Sequence, residues 1–104
     1  MASKAEDLTV EYEEDGVLVF KELDKVILSK GAWATVIFRY RQWDAAKDDY
    51  GHDRYTIRRY RKTNDEYRQQ AKFNISNNGQ AIKIAEALQK WAGETDNITD
   101  DDEE

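Results

Sequence analysis

The sequence predicts an α+β fold in which several antiparallel strands are followed by one C-terminal amphipathic helix. Alternation of period two runs through residues 33–43, 54–62 and 67–75, as strands with two distinct faces require. The period then lengthens: Ala81, Ile84, Ala85, Leu88, Trp91 and Ala92 fall on one stripe of a helix. Turn-forming residues separate these runs at Asp15-Gly16, at Lys30-Gly31 and at Thr63-Asn64-Asp65-Glu66.

In chain order, the apolar run 17–20 after Asp15-Gly16 reads as a first strand, and residues 25–29, centred on Val26-Ile27-Leu28, as a second. Residues 33–43 place Ala34, Val36, Phe38 and Tyr40 on one face and Trp33, Thr35, Ile37, Arg39, Arg41 and Trp43 on the other. The first set has the character of a core, which the helix can cover. Residues 44–53 are polar, contain Gly51, and read as a loop. In 54–62, Tyr55 and Ile57 fall on one face, with Arg54, Thr56, Arg58, Tyr60 and Lys62 on the other. In 67–75, Tyr67, Ala71, Phe73 and Ile75 oppose Arg68, Gln70, Lys72 and Asn74. Asn77 and Gln80 have the spacing of a capping box at the helix start, and Gly93 is its expected stop.

Charge divides the chain into three parts. Residues 17–92 hold 15 Lys/Arg against 9 Asp/Glu, whereas residues 1–16 carry a net −5 and residues 93–104 a net −7. The overall −6 therefore hides a basic middle. The two ends, acidic and poor in apolar residues, are expected to be disordered tails around a folded domain at 17–92. About 76 residues bury a marginal core, and with no cysteine to staple it, pairing into a homodimer is the expected remedy. No cysteine, no signal-like stretch and no long apolar run point to an intracellular protein, in the cytoplasm, nucleoid or nucleus, without a membrane partner.

Seven arginines lie between Arg39 and Arg68, interleaved with Tyr40, Trp43, Tyr50, Tyr55, Tyr60 and Tyr67. Guanidinium groups among flat rings suit single-stranded DNA or RNA, a line of negative charge whose unpaired bases offer faces for stacking. An ordinary solvated strand face mixes acid with base, yet the outward positions Arg39, Arg41, Arg54, Arg58, Lys62, Arg68 and Lys72 are all positive. Trp33 and Trp43 are the expected stacking rings, with Tyr60 a third. Single rings at such positions also serve packed edges and interfaces.

The acidic C-terminal run either keeps the chain soluble, competes with nucleic acid for the basic face, or recruits a basic partner protein. Catalysis finds no support. His52 is the one histidine and has no second ligand at metal-binding spacing, and Ser3, Ser29 and Ser76 lack partners for nucleophilic chemistry. No enzyme, metal or cofactor is expected. The alternative class is a protein-interaction adaptor using the basic face and the acidic tails without nucleic acid. A double-strand reader would need a basic groove-reading helix, and this helix offers only Lys83 and Lys90.

The run from Val26 to Trp43, a hairpin ending in a basic and aromatic tip, together with Lys72-Phe73-Asn74-Ile75-Ser76 and the helix after it, resembles the transcriptional coactivator family called positive cofactor four. The likeness covers roughly residues 20–92. It implies a curved four-stranded antiparallel sheet, a C-terminal helix packed against a second subunit, and single-stranded DNA across basic strands. The residues in the corresponding positions are Lys30, Trp33, Arg39, Arg41, Trp43, Arg58, Tyr60 and Lys72. It also implies an accessory role in transcription; replication or repair would use the same chemistry. The connection over residues 44–70 is longer than the family's usual one, and acidic blocks stand at both ends.

Overall fold

The computed structural model describes residues 2–94. Its elements are β1 (Tyr12–Glu14), β2 (Val17–Ser29), β3 (Trp33–Asp44), β4 (Asp49–Tyr50), β5 (Arg54–Thr63), β6 (Glu66–Ile75) and α1 (Asn78–Gly93). The class is the expected one, a curled antiparallel sheet followed by one helix. Its main ladder runs β1-β2-β3-β5-β6, and β4 pairs with the end of β3. Six strands among the described residues replace the four that the family resemblance implies.

Local chemistry explains the hairpins. Asp15 and Gly16 (φ 52° and 81°) join β1 to β2, and Asn64 and Asp65 (φ 53° and 63°) join β5 to β6. Two successive left-handed residues make the type I′ turn whose twist matches its strands, and Asp, Asn and Gly adopt that conformation most readily. The two early apolar runs fuse into the single 13-residue strand β2. It keeps pace with β3 through bulges at Leu23 and Leu28, where the register skips a residue. Because a bulge reverses the alternation, Phe20 and Glu22 share a face with Lys25 and Ile27.

A third bulge, at Gln70, does the same in β6. Tyr67 pairs with Lys62 on one face, whereas Phe73 pairs with Ile57 and Ile75 with Tyr55 on the other. The single apolar face expected across residues 67–75 is therefore split between the two sides of the sheet. Phe73 is 54 % exposed.

The expected core face of β3 is buried: Ala34, Val36, Phe38 and Tyr40 are all at most 7 % exposed. Its cover is not the helix. The stretch 2–10, expected to belong to a disordered tail, crosses this face as a strap and buries Ala5, Leu8 and Val10 against it, with Tyr60 and Tyr67 completing the cluster. Several bonds pin the strap. The N–H of Tyr67 donates to the Ala2 carbonyl at 2.8 Å, and the Lys25 ammonium donates to the carbonyls of Glu6 and Leu8, both at 2.6 Å. The acids that follow it, Glu11, Glu13, Glu14 and Asp15, dominate the composition of residues 1–16, and the apolar residues of the strap are too irregularly spaced to leave a periodic signal.

No residue of α1 is buried. Its start is close to the expected one: Asn77 accepts from the Gln80 N–H at 2.8 Å, while Gln80 accepts at 2.7 Å from the N–H of Ser76, one residue before the cap position of a capping box. The helix ends at Gly93. Of the acidic C-terminal block, residues 95–104 lie outside the described residues, and so does the tail expected there.

If the strap is core, Leu8→Ala should cost about 2–4 kcal/mol, the range for truncating a buried leucine. Urea denaturation reads this as a lower midpoint at unchanged slope. A dispensable tail would leave the midpoint where it is.

Candidate nucleic-acid interface

Residues opposite one another in antiparallel strands project to the same side, so the register assigns every side chain to a face. The strap covers one face; the other is open except at its α1 end, where Ile75 is buried. Along β3 the open face carries Trp33, Thr35, Ile37, Arg39, Arg41 and Trp43, as expected. Its β5 partners are Arg61 opposite Trp33, Arg59 opposite Thr35, Ile57 opposite Ile37 and Tyr55 opposite Arg39.

That pairing corrects the assignment on β5. Arg54 stands opposite Tyr40, Arg58 opposite Val36 and Tyr60 opposite Ala34, so all three lie on the strap face. Lys62 follows by alternation, and Lys72 joins them as the partner of Arg58. Lys30, in the β2–β3 turn, reaches the strap and pairs with Glu6 at 2.7 Å. That contact raises the lysine's pKa and lowers that of the glutamate, chiefly through the hydrogen bond between them. Tyr60 is 5 % exposed and offers no ring to a ligand. Burial raises its hydroxyl pKa, with the nearby Arg58 opposing that shift. The reason for the misassignment is that Thr56 and Tyr60, not Tyr55 and Ile57, supply the core side of β5.

Of the expected residues, the open face brings together Trp33, Arg39, Arg41, Trp43 and Arg68, the last opposite Arg61 and paired with Glu66 at 3.1 Å. It adds two that were missed, Arg59 and Arg61. Their guanidinium carbons lie 4.1 and 5.4 Å from the centre of the Trp33 ring, within cation–π range. The signal for them was the pattern Arg59-Tyr60-Arg61: once the tyrosine is taken as buried, its neighbours must face outward. Trp33 is half-buried against these arginines, so a base reaching its ring would share the site with a guanidinium.

At the other end, Trp43 meets Tyr50 edge to face with centroids 5.2 Å apart. The segment read as a loop builds this contact, because β4 pairs Tyr50 with Trp43 and the Tyr50 hydroxyl donates to the Leu18 carbonyl at 2.7 Å. Beside it stands an ion cluster. Asp53 accepts from Nε and Nη2 of Arg39 at 2.6 and 2.5 Å, and from Nε of Arg41 at 2.7 Å. The hydrogen bonds from Arg41 and then Arg39 hold the Asp53 carboxyl below its ordinary pKa.

Between the two basic ends runs an apolar row. Val26, Ile37, Ile57 and Phe73 are consecutive cross-strand partners on β2, β3, β5 and β6. Val26 is 56 % exposed at one end of the row and Phe73 54 % at the other. Asp24, Arg39 and Tyr55 close a shallow groove along it. The Tyr55 hydroxyl donates to Asn78 Oδ1 at 2.8 Å, which ties the first turn of α1 to this face.

Among the described residues no three His, Cys, Asp or Glu side chains gather as a metal site, and no helix is long and apolar enough to cross a membrane. No family model, no curated protein and no solved structure matches this chain.

The lowered Asp53 pKa has a defined consequence for stability. A carboxyl whose folded pKa is depressed contributes stability that is fully present above its unfolded value, about 3.9, and lost as pH falls through the folded value. Asp53 should therefore titrate below the ordinary aspartate value in a carboxyl NMR titration, and Asp53→Asn should reduce the acid-dependent loss of stability in that window.

Proposed function

We propose that the open face binds single-stranded nucleic acid, DNA or RNA, without sequence preference and without catalysis. The observation that carries this reading is the arrangement across the sheet: an apolar row with arginines on both sides, Trp43 beyond Arg39 and Arg41 at one end and Trp33 against Arg59 and Arg61 at the other. Thr35, which faces Arg59, and Arg39 are four positions apart on β3, a span of about 13 Å. A strand crossing there would lay bases over Ile37 and Ile57 while Arg39 and Arg41 on one side, and Arg59 and Arg61 on the other, meet its phosphates. Trp43 and Trp33 lie where bases at the two margins would stack. The strap face is a poorer platform, because the strap covers its centre and Lys30 is engaged by Glu6.

The same reading makes the protein an accessory factor in transcription, replication or repair, working as a homodimer. The support for a second copy is α1, which exposes Ile82, Leu88 and Trp91 at 58, 59 and 63 %. Leu88 and Trp91, three positions apart and so on one side of a helix without a fully buried residue, supply the contact surface of this reading. That same exposed apolar surface favours a second reading, an adaptor that binds proteins alone.

Two measurements test the proposal. Fluorescence anisotropy with a labelled oligothymidine between about 50 and 200 mM salt should show affinity falling steeply, as counterion release requires. Arg39→Ala with Arg41→Ala should weaken binding and lower the salt slope by about 1.4, whereas Arg54→Ala with Lys72→Ala, on the strap face, should change it far less. Absence of binding would leave the adaptor. In sedimentation, Leu88→Glu should convert a dimer to a monomer; a wild-type chain already monomeric at high concentration would refute the helix contact.

A further inference from the structure

Arg39 and Arg41 lie two residues apart on one strand, where two flexible cations would repel each other and sample many rotamers. Asp53 prevents this. It lies one position beyond the Tyr40–Arg54 pair, at the entry to β5, and one carboxylate bridges both guanidiniums. The acid lies beneath the cations: its side chain is 16 % exposed, against 51 % and 46 % for the two arginines. The bonds are made to Nε of both arginines and to Nη2 of Arg39, along the flank of that guanidinium. The outer end of each group, carrying Nη1, is left directed away from the carboxylate.

The geometry points to Asp53 as a positioning residue that presents Arg39 and Arg41 as a preformed two-pronged clamp for nucleic-acid phosphates. This inference rests on the nucleic-acid reading of the open face. A carboxylate in a basic site would ordinarily be counted against an anionic ligand. Here it lies too deep to meet the ligand and removes in advance the rotamer freedom that binding would otherwise have to remove.

The two effects of Asp53→Asn have opposite signs, which makes the test sharp. Removing the negative charge raises the net charge of the face by one and, by electrostatics alone, tightens binding. Loss of the clamp weakens it. At about 0.2 M salt, with a Debye length of roughly 8 Å, screening attenuates the charge effect and leaves the geometry untouched, so loss of the clamp should dominate.

The experiment is anisotropy with labelled oligothymidine on the full chain, comparing wild type, Asp53→Asn, Asp53→Glu, Arg39→Lys with Arg41→Lys, and Arg39→Ala with Arg41→Ala. Binding by Asp53→Asn should be about five- to tenfold weaker despite the added charge, with a shallower salt slope and partial recovery in Asp53→Glu. The double lysine variant keeps both charges but loses the flanking bonds, so it should fall likewise and decides the matter if Asp53→Asn fails to fold. Binding by Asp53→Asn or the double lysine variant as tight as wild type or tighter would overturn the clamp. If wild type does not bind, or the double alanine variant binds normally, the nucleic-acid reading of this face fails, and the clamp with it.

Discussion

Burial of the even-numbered side chains of β3 under the N-terminal strap is the contact on which the other features depend. A lone sheet exposes two faces, and one must be covered for the chain to leave its unfolded state. Ala5, Leu8 and Val10 do this over Ala34, Val36, Phe38 and Tyr40. Once that row is fixed inward, the period of two turns Trp33, Arg39, Arg41 and Trp43 outward, and cross-strand pairing carries the phase to β5. Arg59 and Arg61 face outward because Tyr60 faces in. A slip of one residue in β3 against β5 would bury charges that have no partner inside.

The acidic residues of the described chain work close to home. Glu6 holds Lys30 beside the strap, and Asp53 holds two arginines together. On the outer side of β2, the N–H of Glu22 donates to Glu11 Oε2 and that of Lys25 to Asp24 Oδ1. Carboxylates there stand in for the neighbouring strand that β1 is too short to supply. With the bulges at Leu23 and Leu28, they also blunt an edge that would otherwise invite pairing with another chain. β6, at the opposite edge, carries a bulge at Gln70 and the charges of Arg68 and Lys72.

Much of this was legible in the sequence. The faces of residues 33–43 were read correctly because the inward set is purely apolar or aromatic. Asn77 and Gln80 marked the helix start. On β5 the reading failed because Tyr55 and Ile57 look more apolar than Thr56 and Tyr60, and nothing in a single strand says which side the core occupies. On β6 it failed because an inserted Gln70 leaves no trace in composition while reversing all that follows. The strap was missed because six acids in sixteen residues outweigh Leu8 and Val10 in any average.

The sequence by itself determined the class, the turns, the outward cations of β3 and the cap of α1, since each depends on residues near in the chain whose backbone preferences are local. Tertiary structure decided which face of β5 is basic, that β4 supports Trp43, that Asp53 joins Arg39 to Arg41, and that the N-terminus rather than the helix covers the core. Those outcomes depend on register and on contacts between residues distant in the chain, such as Arg39 with Asp53 and Ala2 with Tyr67. Local propensity is silent about such contacts, because the competition among possible partners for one apolar face is settled only when the whole chain packs.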